Sequence, residues 1–124
     1  MAIRRMFSRE IIDSDAFLSM PSSTQALYFH LGMRADDDGV VQNPIGITRL
    51  VGSGTDDLKV LLMKRFILPI GQGELVVIKH WKINNLIQKD RYTPTKYQKE
   101  LEMLELDENK AYREKSINLL EDTL

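Results

Sequence analysis

The chain contains no cysteine, which excludes a disulfide framework and any thiolate-based metal site. Histidine is nearly as scarce: His30 and His80 are the only two, and they give no paired-imidazole ligand set. No apolar run approaches the roughly 18 residues that mark a membrane-spanning helix. Met1-Ala2-Ile3-Arg4-Arg5 has no hydrophobic stretch behind it to read as a signal peptide. A large net charge is also missing, because 17 lysines and arginines face 18 acids and leave −1. The expectation is a soluble protein of a reducing cytoplasm that touches no membrane.

What is present is enough apolar material for one core: 43% of 124 residues. The charge is also unevenly spread. Residues 79–99 carry a net +5 and residues 100–124 a net −5, so a basic stretch and an acidic one cancel in the total but not in the fields they present.

The clearest organisation runs from Asn43 to Trp81. Asn43-Pro44 opens a helix over 44–51, and Gly52-Ser53-Gly54 turns the chain. Thr55 or Asp56 is the expected cap of a second helix over 56–65, where Leu58, Leu61, Leu62 and Phe66 share one face. Ile67–Ile70 and Leu75–His80 flank Gly71-Gln72-Gly73 as a hairpin. Helix, turn, helix and hairpin is the order of a winged-helix domain. The expected fold class is therefore mainly α with a small β-hairpin (α+β): a winged helix-turn-helix with extra N-terminal and C-terminal helices. Val40-Val41 is expected to join the hairpin as a third strand, since a lone hairpin is marginal in water.

Upstream, Asp13-Ser14-Asp15 offers a cap for a short turn bearing Phe17 and Leu18, and Ser22 with Gln25 makes a capping-box signature. The helix that follows, over 23–34, is apolar on most sides and reads as the buried centre of the domain. Asp36-Asp37-Asp38-Gly39 then reads as a turn with a negative tip. Downstream, Trp81, Ile83, Leu86 and Ile87 dock back on the core. Pro94 after Thr93 starts a helix bearing Tyr97, Leu101 and Leu104. The expected domains are 1–104, the winged helix, and 105–124, an acidic tail or linker with room for a short helix around Ile117, Leu119 and Leu120.

Lysines and arginines interleave with aromatics at Lys79-His80-Trp81-Lys82, Lys89-Asp90-Arg91-Tyr92 and Lys96-Tyr97. Cations neutralise phosphates and aromatic rings stack on bases. Trp81 directly follows an apolar strand, which favours a core position over stacking. The candidate DNA contacts are Arg4, Arg5, Lys64, Lys79, Lys82, Lys89, Arg91 and Lys96. The second helix points the other way, because a groove-reading helix offers Arg, Asn, Gln or Ser and this one offers Asp56, Asp57, Val60 and Met63. Val60 and Met63, with Ile11 and Phe17 of the entry segment, are candidate self-association residues. No calcium loop fits Asp36, since the twelfth residue from it is Ile47 where a glutamate is needed. His30 is expected in the core. Neither glycine-rich turn has the strand-to-helix setting of a nucleotide loop or nucleophile elbow, so no cofactor, metal or enzymatic activity is expected.

Several separated blocks also resemble one family. Arg4-Arg5-Met6-Phe7-Ser8, the run from Ile11 to Leu18, and Gln25-Ala26-Leu27-Tyr28-Phe29-His30-Leu31 are similar to the N-terminal domain of phage replisome organisers, the DnaD-like replication-initiation proteins. So are Arg34-Ala35-Asp36-Asp37-Asp38-Gly39, Val77-Ile78-Lys79-His80-Trp81, Gln88-Lys89-Asp90-Arg91-Tyr92 and Glu108-Asn109-Lys110-Ala111-Tyr112. The resemblance implies binding to origin DNA, double-stranded by expectation. It also implies assembly into homo-oligomers and recruitment of a helicase loader or helicase. The family's second, C-terminal region has no counterpart in these residues, and the family supplies no catalytic residues to carry over. A self-association module of the same machinery and a phage transcriptional regulator are the alternative readings.

Overall fold

The computed structural model describes residues 2–115, which form an α+β fold of seven short helices and five strands. Two single-turn helices open it, α1 (Arg9–Ile12) and α2 (Asp15–Leu18), the second capped by the Ser14 hydroxyl accepting from the Phe17 amide. The longest helix, α3 (Ser22–Arg34), buries Leu27, Tyr28 and Leu31 while Met33 stays exposed. Its start differs from the capping box expected at Ser22. Pro21 holds the cap position, and Gln25 instead donates from Nε2 to the carbonyls of Met20 and Leu18. His30, expected in the core, is half-exposed and lies beside the Arg34 guanidinium.

A three-residue strand, β1 (Val40–Gln42), leads into α4 (Pro44–Val51), where Asn43 in the left-handed region caps the helix by accepting from the Gly46 amide. A Cβ on Gly46 would collide with the Asn43 side-chain amide, so the bare glycine is what lets this cap close. Next, α5 (Thr55–Met63) begins after Gly54 rather than after Thr55 or Asp56. Asp57 accepts from the Gly54 amide and also from the hydroxyls of Ser23 and Thr24, fastening the start of α5 to the start of α3. The Asp57 carboxyl lies below its ordinary range: burial raises it, and these hydrogen bonds outweigh the burial.

Strands β2 (Ile67–Ile70) and β3 (Leu75–Ile78) form the expected hairpin, and β1 pairs with β3 in register Val40 with Val77 and Val41 with Val76. The sheet order is β1-β3-β2, all antiparallel. All four β3 residues are buried, as a central strand covered on both faces requires. The core lies between this sheet and α3–α5. Phe17, Tyr28, Phe29 and Phe66 meet there edge to face at 5.2–5.9 Å.

After the sheet, α6 (Trp81–Asn84) docks as expected, but the helix expected from Thr93-Pro94 shrinks to α7 (Gln98–Leu101). Leu104 is not on it. It begins β4 (Leu104–Leu106), which pairs antiparallel with β5 (Tyr112–Glu114) in a second hairpin where an acidic tail was expected to start. Tyr112 holds that hairpin to the body, its amide donating to the Lys79 carbonyl at 2.9 Å. Arg65 at the end of α5 pairs with Glu114. The short helix expected around Ile117, Leu119 and Leu120 lies outside the described residues. No helix among the described residues is long and apolar enough to cross a membrane.

Candidate nucleic-acid interface

The acidic turn before β1 is built to receive donors, with its second and third carboxylates turned inward. The first, Asp36, closes the turn: Oδ1 accepts from the amides of Asp38 and Val40, and its own amide donates to the Val40 carbonyl. Gly39, at φ +89°, lets the chain reverse directly against Trp81, where a Cβ would lie 2.6 Å from the ring. Asp37 and Asp38 are both buried, so neither makes the exposed negative tip expected from the sequence. Carboxylates so placed must find donors.

Asp37 receives the Arg5 guanidinium at 3.1 Å and the Thr93 amide at 3.0 Å, and its carbonyl accepts from the Trp81 indole. Asp38 receives the Lys82 ammonium at 2.9 Å, the Tyr92 hydroxyl and the Thr95 amide. Its carbonyl accepts from the Tyr112 hydroxyl at 2.8 Å. Burial alone raises the Asp38 carboxyl, but the bonds from Lys82, Thr95 and Tyr92 outweigh it and hold it below the ordinary range. The Tyr92 hydroxyl is pushed up to about 12, by burial first and then by its bond to Asp38 and that group's charge.

This turn explains why no helix starts at Pro94. The amides of Thr93 and Thr95 are drawn onto Asp37 and Asp38, so residues 88–97 run as an irregular strap over the acidic turn. The helix after the strap, α7, lies beside the first hairpin's tip, where the Glu100 side chain would meet a Cβ on Gly71 at 3.3 Å. The strap's inward groups are the ones that bond. Lys89, Arg91, Lys96 and Lys99 are exposed, and none forms an ion pair with a described residue.

The expected DNA contacts therefore separate into two groups. Lys89, Arg91 and Lys96 sit together on the strap, and Arg4 is exposed on the N-terminal arm. Arg5 does not reach the surface: its side chain is 2% exposed, bonded to Asp37 and stacked 5.2 Å from the Trp81 ring. Lys82 is engaged by Asp38 and Tyr92, Lys79 is half-buried, and Lys64 lies apart as the C-cap of α5, bonding to Ser19. Trp81 is core, as expected.

Of the expected self-association residues, Met63 is 81% exposed, whereas Phe17 is buried in the aromatic cluster and unavailable to a partner. Ile11 and Val60 are half-buried and pack against the core. The sequence reading missed Asp37, Asp38 and Thr95 as organisers of the site. Their one signal is an acid run set directly before an apolar strand, which reads the same whether the carboxylates face inward or outward. Comparison of the chain with known protein families, curated proteins and solved structures finds no match.

Proposed function

We propose that the chain is a winged-helix DNA-binding domain of a phage or prophage replication-initiation protein, and that its strap is the phosphate-binding surface. The order α3, β1, α4, α5, β2, β3 with sheet order β1-β3-β2 supports the winged-helix reading, with β2–β3 as the wing. The replication role rests on the resemblance to DnaD-like replisome organisers, as do a helicase loader or helicase as partner and the bacterial host cytoplasm as location.

The observation that carries the DNA reading is the strap itself. Three exposed cations, Lys89, Arg91 and Lys96, stand on a backbone pinned from beneath by Asp37 and Asp38, and a fourth, Lys99, follows on α7. Fixed cations neutralise phosphates at a smaller ordering cost than mobile ones. The first turn of α5 carries Asp56 and Asp57 and the wing tip carries Glu74, so backbone contact outweighs base reading. Replacing Lys89 and Arg91 together by glutamine weakens duplex binding regardless of sequence and reduces the log–log salt slope by roughly 1.8. Unchanged affinity and slope in that variant remove the strap from the interface.

A second reading, self-association, is favoured by the exposed apolar side chains on α4 and α5, namely Met63, Leu50 at 72% and Ile45 at 49%. Weak DNA sites gain avidity when copies assemble. Met63→Glu is expected to lower the sedimentation-derived mass of the wild-type oligomer. A wild-type mass that stays monomeric at all concentrations ends this reading.

A further inference from the structure

The N-terminal arm and the chain leaving α6 enclose a groove of about 890 Å³ between residues 2–6 and 85–91. The two walls are joined where the Met6 amide donates to Asn85 Oδ1 at 2.7 Å. The charged residues on the groove are Arg4, Arg5 and Arg91, with no acid among its lining residues. Arg5 is neutralised by Asp37, while Arg4 and Arg91 are exposed and make no ion pair with a described residue. Alongside these cations stand large apolar side chains left in solvent: Ile3 is 87% exposed, Leu86 80% and Met6 51%.

We propose that this groove docks an acidic, aliphatic-rich peptide segment of a protein partner. Its carboxylates meet Arg4 and Arg91, and its aliphatic side chains cover Ile3 and Leu86. A nucleic-acid backbone satisfies the arginines equally well but leaves the apolar side chains in water, so the combination favours peptide. The surface is separate from Lys96 and from Lys99 of α7 and shares only Arg91 and Arg4 with the proposed DNA contacts.

The test is fluorescence anisotropy of the full chain with a labelled Leu-Leu-Glu-Glu-Leu-Leu-Glu-Glu peptide, against a control in which serine replaces every leucine. The expected result is saturable binding of the leucine peptide, weakened tenfold or more by Leu86→Ser and by Arg91→Glu. Lys96→Glu with Lys99→Glu leaves it unchanged while weakening duplex DNA, so this docking and the DNA reading fail independently. Absence of saturable binding overturns the proposal, as does equal binding of the serine peptide. It is also overturned if Leu86→Ser spares the peptide, or weakens duplex DNA instead, which would make the groove part of the nucleic-acid surface.

Discussion

The Tyr92 hydroxyl lies 2.8 Å from both carboxylate oxygens of Asp38, so one proton bridges the strap to the acidic turn. The same carboxylate also accepts from Lys82 and the Thr95 amide. Together with Asp37, which accepts from the Thr93 amide, this buried acid fixes the course of the strap and, through it, the placing of its exposed cations.

Asp38→Asn removes the charge and one acceptor while keeping the size. A loss of about 2–4 kcal/mol is expected, set by the unpaired donors left behind, and urea unfolding measures it. Because the folded-state carboxyl lies below its ordinary 3.8, its contribution is present above that pH and lost as pH falls below it. Acid unfolding of the variant is therefore shallower than that of the wild type.

His80 adds to the same acid edge of the pH profile, starting at higher pH. Its ring packs 5.9 Å from Phe66, with Nδ1 buried and without a hydrogen-bond partner among the described residues. Burial first, and the Lys79 charge second, lower it from 6.5 to about 4, while Asp107 partly opposes them. Between those values the unfolded chain binds the proton and the folded one does not, so stability falls as pH drops from 6.5 to about 4. His80→Leu is expected to flatten that part of the curve in thermal unfolding measured across pH.

Arg4 and Arg5 are adjacent in sequence and opposite in role. Arg5→Ala strands the Asp37 carboxylate and is expected to cost about 3–5 kcal/mol. Arg4→Ala changes stability by no more than about 0.5 kcal/mol and acts on ligand binding alone. Denaturant midpoints of the two variants, read beside their DNA affinities, separate these effects.

Much of the central fold is legible in the sequence, because each element announces itself locally. Asn43-Pro44 starts α4, Gly52 ends it in the left-handed region, and the apolar run Leu75–Ile78 forms a central strand. Legibility ends where long-range hydrogen bonds decide. Thr93-Pro94 has the form of a helix start, yet both flanking amides bond to an acidic turn more than fifty residues away in sequence. Leu104 continues a helical spacing from Leu101, yet its strand forms because β5 and the Tyr112–Lys79 bond capture that segment. The basic character of residues 79–99 is visible in composition. Which of those cations stay free depends on where Asp37 and Asp38 face, and no local pattern encodes that.

The salt dependence of duplex binding decides whether the strap holds phosphates. Anisotropy of a labelled duplex titrated with the full chain from low to moderate salt is expected to give a log–log slope of about −3.6, or −0.9 for each of roughly four phosphate contacts. No binding at the lowest salt, or a slope near zero, contradicts the account.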